Sequence, residues 1–552
     1  MMKFIQMNNR VKNNIYVVTY ICVYVVLYVV ISFFHEPWFD EAQAWQIARC
    51  ASYREIIFVL PHYEGHPALW HLILSVPAKI GLPYELSIKT IGLIITTVST
   101  FLLIKKAPFP KWARALIPFS YFFFYQYGII VRPYSLVILF LILAAIYFKD
   151  KDIRPGRFVL CLIGLCASSA FGIVIAGGIA CAWVCDILSE SIRKRKFKGI
   201  YKDRRIVFLS ILLVVAILIV IHIMPANDAY ATTHYTVQNI LQTFIIAIFG
   251  IIPDVFLTEN IWSSCEVNLH FVNVDIQTMV LTCILGAFIW GIIVLFSGKK
   301  ALKYILIPYM FFASFASLVY CYSHHLGVIV FLLIFWVWIN IENYDYLNNW
   351  NRLKSVLGVK GFILRIKDAD IRKLKLFTKI ISIVFLGVSV YWAISTSALD
   401  IKYTYSYGRD LARFLNANNL ANLNIVSEWQ DDNVNYMKIP VNVLPYIDDD
   451  QQYTVIDNLI NPYIMHKKTS SEENDALIQK WSDLEIPDIL LGYPDIVSIY
   501  GGEVKRTDYS PVYRLDMYFC WKGATYDAYN YVFMRNDLIE KYNLTSLYVE
   551  ND

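Results

Sequence analysis

The chain has 552 residues, 57% hydrophobic, 16% aromatic and only 17% charged, with a mean hydropathy of +0.48. Soluble domains carry about 25% charged residues, and so large an apolar excess cannot be hidden in globular cores. That excludes a cytosolic enzyme, a disordered tail protein and a disulfide scaffold. The formal charge of +5, with no basic tract interleaved with aromatics, excludes a nucleic-acid partner.

A helix needs about 20 mostly apolar residues to cross a bilayer. On that measure the chain predicts eleven spans, at 15–34, 85–104, 112–130, 133–149, 157–169, 170–188, 206–224, 275–297, 301–322, 325–341 and 376–397. No small-residue cleavage site follows Ile15–Phe34, so the first run reads as a retained helix and not a signal peptide. Taken as one straight helix, 157–188 would be roughly 48 Å long at 1.5 Å per residue, too long for a bilayer. Both its flanks are basic, with Arg154 and Arg157 before it and Arg193-Lys194-Arg195-Lys196 after it. A hairpin broken between Ser168-Ser169 and Gly172 is therefore expected. Seven of the ten cysteines (Cys22, Cys161, Cys166, Cys181, Cys185, Cys283, Cys321) lie in apolar runs, and their pairs lack the flanking ligands of a zinc site.

Lys and Arg in the loops set the expected orientation. With the N-terminus inside, the inner segments carry 31 and the outer segments four: Arg49, Arg54, Lys79 and Arg132. The loop 225–274 has none. An odd number of spans then places everything after 397 outside. Residues 398–552 carry 13 Lys+Arg against 24 Asp+Glu, a net of −11, whereas residues 1–397 carry +16. Helical signals at Tyr407–Asn418 and Ser471–Trp481 alternate there with strand-like runs at 424–427, 453–456 and 489–491. The expected fold class is an α-helical polytopic membrane protein. Residues 1–397 form its transmembrane domain, and 398–552 form a small extracytoplasmic α/β domain.

The chemistry-bearing residues gather in the first outer loop, 35–84. It reads His35-Glu36-Pro37-Trp38-Phe39-Asp40-Glu41, then Glu64-Gly65-His66-Pro67-Ala68-Leu69-Trp70-His71. Acidic residues abutting a span are costly at hydrocarbon depth and need a task or a partner. Ala42–Cys50 can form a helix on the membrane surface, and Asp40 could simply cap it. His66–Ile80, broken by Pro67 and Pro77, suits an interfacial helix. Two further polar spots fall on the same face: Arg132-Pro133-Tyr134-Ser135 and Ser323-His324-His325. The arginine could snorkel to headgroups and the histidines could be interfacial filler. Taken together, a carboxylate for proton abstraction and cations for a phosphate suit transfer from a lipid-linked phosphosugar.

At these residues the sequence resembles the GT-C glycosyltransferases. Its Asp-Glu pair, Gly-His-Pro-Ala-Leu-Trp and Arg-Pro-Tyr look like the branch of the protein O-mannosyltransferases and lipid A aminoarabinose transferases (glycosyltransferase family 39). The resemblance runs over roughly 15–345 and implies a sugar taken from a polyprenyl-phosphate carrier. It implies Asp40 as general base, with Glu41 in the same acidic pair, and Arg132, His66 and Tyr134 on the donor phosphate side. Ala68 stands where the family has a second proline. Glu64, His324 and His325 are candidates for substrate or metal. The resemblance requires no cofactor; a divalent cation held by Glu41, Glu64 and His66 stays open. The expected partners are the lipid-linked donor, a glycan, lipid or protein acceptor, and the bilayer, in a bacterial inner membrane. A transporter or flippase of lipid-linked sugars would instead bury ionisable groups at the midplane in two repeated halves. A glycan polymerase or ligase would share the outer-face arginine, and a non-catalytic receptor with an acidic ectodomain would need none of these groups.

Overall fold

A computed structural model describes residues 2–195, 200–229, 235–258, 267–343 except 273 and 299, 368–420, 422–427, 442–446, 453–455, 485–491 and 504–547, with isolated positions between 470 and 479. Among them, eight helices are long and apolar enough to cross a membrane: Asn14–Phe34, Tyr84–Lys106, Ala170–Lys194, Arg204–Ile223, Val237–Asp254, Ile276–Phe296, Ser323–Asn343 and Leu376–Lys402. Three shorter apolar helices, Tyr134–Phe148, Pro155–Ser168 and Lys303–Leu318, pack with them. The protein is a helical membrane protein.

Seven expected spans coincide with long helices and three with the shorter ones. The eleventh, 112–130, is not a continuous helix. It divides into a helix at Lys111–Leu116, a 3-10 turn at Ile117–Phe119 and a π-helix at Phe122–Ile129. Pro118 cannot donate to the helical ladder, and non-α backbone is tolerated here because the segment is buried in protein. The break in 157–188 falls at Ser169, whose extended backbone (φ −164°) ends one helix and whose hydroxyl accepts the Gly172 N–H of the next. Conversely, the stretch 225–274 is more than a loop. Val237–Asp254 is apolar but interrupted by Gln238, Asn239 and Gln242, which conceal it from a hydropathy reading. Tyr235 before it and His270 after it stack at 3.6 Å, so this excursion leaves and re-enters at the same end of the bundle.

Two further elements frame the site. Helix α1 (Met2–Phe34) and the last long helix, Asp368–Lys402, end side by side, where His35 meets Asp400. Helix α2 (Phe39–Cys50) follows α1 and packs on Leu69–Lys79, the short helix expected at 66–80. It does not lie on a surface: all of its residues except Asp40, Arg49 and Cys50 are buried.

The C-terminal part holds a five-stranded mixed sheet, ordered β2-β1-β3-β5-β4, made of β1 (Ile425–Ser427), β2 (Tyr453–Val455), β3 (Ile489–Leu491), β4 (Tyr509–Trp521) and β5 (Ala524–Arg535). β1 is parallel to β2 and β3, and β5 is antiparallel to β3 and β4. The expected helix at 407–418 is present as Gly408–Ala417, whereas 471–481 lies mostly outside the described residues. The long β4–β5 hairpin was not foreseen. Its signal was two alternating runs around Lys522-Gly523, both with positive φ (47° and 90°), as a two-residue hairpin turn requires.

Candidate active site

The adjacent acids of α2 face different surroundings. Glu41 is 1% exposed; its Oε2 accepts the Trp38 N–H at 2.8 Å and its Oε1 accepts the Val131 N–H at 2.8 Å. It therefore closes the start of α2 and also ties the chain before Asp40 to the chain before Arg132. This removes one alternative and corrects one expectation. Glu41, not Asp40, caps the helix, and Glu41 does not line the cavity that Asp40 faces.

That cavity has a volume of about 340 Å³. Asp40 lies on its wall with Oδ2 2.5 Å from Arg132 Nη2. The Arg132 guanidinium is 4.9 Å from the Trp38 ring centroid and 5.3 Å from that of Tyr134. Two aromatic faces and one carboxylate thus hold the cation, leaving the side chain only 8% exposed. Tyr134 contacts the Arg132 cation but is not among the residues that line the cavity.

Gly65, in the left-handed region at φ 63°, ends the short helix Pro61–Glu64 and turns the chain so that Glu64 and His66 both line the cavity. Gln43, one helical turn after Asp40, points its amide at Glu64 across 3.5 Å. His324 and His325 enter from the 3-10 turn Ser323–Leu326. The His325 Nδ1 accepts the Tyr322 N–H at 2.9 Å, and the His324 ring meets Trp38 edge-on at 5.4 Å. Six of the eight sequence candidates therefore share one cavity: Asp40, Glu64, His66, Arg132, His324 and His325.

The sequence reading did not single out several other lining residues. Gln43 was accessible from its i+3 spacing to Asp40. His71 sits in the quoted motif, and burial holds it down to about 4, so it is neutral near pH 7. Tyr63, Tyr235, Phe271, Tyr320 and Tyr322 supply an aromatic wall from four separate stretches of chain, and no local pattern announces them. Among the described residues no group of three or more His, Cys, Asp or Glu is placed to hold a metal ion. In the set Glu41, Glu64 and His66, Glu41 is already bonded by two backbone amides.

A second ionic cluster forms around Glu85, outside the cavity lining. Arg409 reaches Glu85 through Nε at 2.7 Å, and its backbone N–H donates to Glu36 Oε1 at 2.6 Å. Lys89, the isolated charge in its span, bonds Glu85 at 2.5 Å and the His35 carbonyl at 2.8 Å. Burial pushes Glu36 up to about 8, with Glu85 and Asp410 acting in the same direction against Arg409.

No protein-family model matches the chain, and no curated protein matches it. Fold and site together define a class: a helical membrane protein with a polar, aromatic-walled cavity at one end of its bundle.

Proposed function

We propose that the protein is an integral-membrane glycosyltransferase that moves a sugar from a polyprenyl-phosphate carrier to an acceptor hydroxyl. The observation that carries this reading is the Asp40–Arg132 pair. A carboxylate and a guanidinium in contact on the wall of a cavity within the range of small-ligand sites, roughly 300–1,000 Å³, support a base beside a phosphate-binding group. The two side chains must exchange partners for chemistry to proceed. The donor phosphate takes the Arg132 guanidinium, whose planar fork suits phosphate oxygens and stays charged at any working pH. Asp40, released from Arg132, then accepts the proton of the acceptor hydroxyl. The hydroxyl oxygen attacks the anomeric carbon opposite the phosphate, and the sugar–phosphate C–O bond breaks. Polyprenyl phosphate leaves with the bonding pair, its charge held by Arg132. The configuration at the anomeric carbon inverts.

In this reading the site faces the outer side of the cytoplasmic membrane. The 31-to-4 loop asymmetry supports a cytoplasmic N-terminus. The meeting of His35 with Asp400 puts the ends of the first and last long helices at the same end of the bundle, which supports an odd number of crossings and an extracytoplasmic C-terminal domain. The acceptor is a glycan, lipid or protein hydroxyl. Mass spectrometry of cell-envelope glycans with and without the protein tests the reading, and loss of one specific decoration is expected. Complementation with Asp40→Asn, still folded and inserted, is expected not to restore it; restored transfer would remove Asp40 from its role.

A further inference from the structure

One buried histidine next to Glu41 has no part in the transfer chemistry. His35 is fully buried in the turn between α1 and α2. Its Nδ1 is 2.8 Å from Asp400 Oδ2, and its Nε2 is 3.5 Å from Glu41 Oε2. Tyr125 donates its hydroxyl to the same Asp400 oxygen at 3.0 Å. Only the Nδ1 contact is a hydrogen bond; at 3.5 Å the Nε2–Glu41 contact is an ion pair, and it forms only when the ring is the imidazolium. Two cations nearby oppose that charge, and the two carboxylates outweigh them. Lys89 and Arg409 donate to the His35 backbone carbonyl, at 2.8 and 3.1 Å, while the rings of Tyr125 and Tyr405 flank the imidazole. Burial disfavours the charged ring, but Asp400 and Glu41 more than offset it and hold His35 at about 9.

Glu41 gives this bridge its consequence, because its carboxylate joins the backbone before Asp40 to the backbone before Arg132. We propose that His35 is a positioning residue for the Asp40–Arg132 pair, carrying the placement of the last helix, through Asp400, to the Glu41 carboxylate that sets the two side chains against each other. The catalytic meaning of that pair rests on the function proposed above; the geometric claim does not. Because the folded value lies above the ordinary 6.5, the bridge is complete below that pH and is lost as pH rises through about 9.

The test uses the full chain in detergent and reads Arg132 directly. Phenylglyoxal condenses with guanidinium groups, and peptide mass spectrometry gives the rate at Arg132 against that at exposed Arg54 in the same digest. Relative to Arg54, Arg132 is expected to react slowly near pH 7 and several-fold faster above pH 9. His35→Gln and Asp400→Asn are expected to react at the fast rate already near pH 7. Tyr125→Phe, which removes one hydroxyl and spares the fold, is expected to move the same way by less. A ratio of Arg132 to Arg54 rates that is the same in all variants and at all pH values overturns the proposal, whatever the transfer activity. Where transfer is measured, kcat is expected to fall about tenfold or more in Asp400→Asn, with the alkaline limit of its pH profile displaced to lower pH. Protected labelling in a protein that transfers no sugar would sink the proposed function and leave the positioning role standing.

Discussion

Asp40 and Glu41 are neighbours in sequence and perform different tasks, because a helix turns successive side chains about 100° apart. One faces the cavity and Arg132, and the other faces two backbone amides. Sequence could find Asp40, Glu64, His66 and Arg132, since polar groups beside an apolar span are conspicuous on energetic grounds. It could not assign Glu41, because one of the amides it accepts lies 90 residues away. Arg132 lies 4.9 Å from the Trp38 ring centroid and 5.3 Å from that of Tyr134 and reaches Asp40 through Nη2, and its planar guanidinium offers a phosphate a fork that lysine lacks. Arg132→Lys is therefore expected to lower kcat/KM for the lipid-linked donor by about tenfold to hundredfold with the yield of folded protein unchanged; equal rates would show that a point charge suffices. Glu36 adds a pH dependence. Its folded value of about 8 exceeds the ordinary 4.5, so the folded chain keeps a proton that the unfolded chain releases. Stability from this group is full below about pH 4.5 and is lost as pH rises through 8. Glu36→Gln, neutral throughout, is expected to flatten that decline in thermal midpoints measured across the window, and an unaltered slope would count against it.

The same contrast holds among the elements. Hydropathy located ten helices because a long apolar run has one economical solution in lipid. It misread 112–130, where Pro118 and burial in protein allow a π-helix, and it missed Val237–Asp254, where three amide side chains dilute the apolar signal. Packing between helices was not legible at all. Gly178 on Ala170–Lys194 lies where an added Cβ would fall against the Pro308 backbone of Lys303–Leu318, and backbone cannot move aside as a side chain can. Gly291 on Ile276–Phe296 has nothing within 4 Å of that position. Gly178→Ala is thus expected to cost about 1–3 kcal/mol and to lower the thermal midpoint in detergent. Gly291→Ala is expected to be neutral or to gain up to about 1 kcal/mol. A matching response in the two variants would refute the close contact.

At the scale of the whole molecule, the C-terminal sheet is built into the bundle. The tip of the β4–β5 hairpin buries Lys522, whose Nζ bonds Asp254 Oδ2 at 2.7 Å and the Thr258 carbonyl at 3.0 Å beneath the ring of Trp392. Removing one member of a buried pair leaves the other charge uncompensated, so Lys522→Met is expected to cost about 3–5 kcal/mol. The double variant Lys522→Met/Asp254→Leu is expected to recover most of that loss, read as thermal midpoint and as protease resistance of the hairpin. A single variant as stable as the parent would mean that the pair contributes nothing. By itself the sequence determined the membrane class, the positions of most helices, the charge split between 1–397 and 398–552, and the end of the bundle where chemistry-bearing residues collect. Each of these follows from local sums of hydropathy and charge. Only the tertiary structure decided that Asp40 meets Arg132, that Glu41 joins their backbones, that His35 joins Asp400 across 365 residues, and that Lys522 finds Asp254. The physical reason is the same throughout: a buried charge is stable only beside its partner, and that partner is chosen by packing in three dimensions, which no spacing along the chain records.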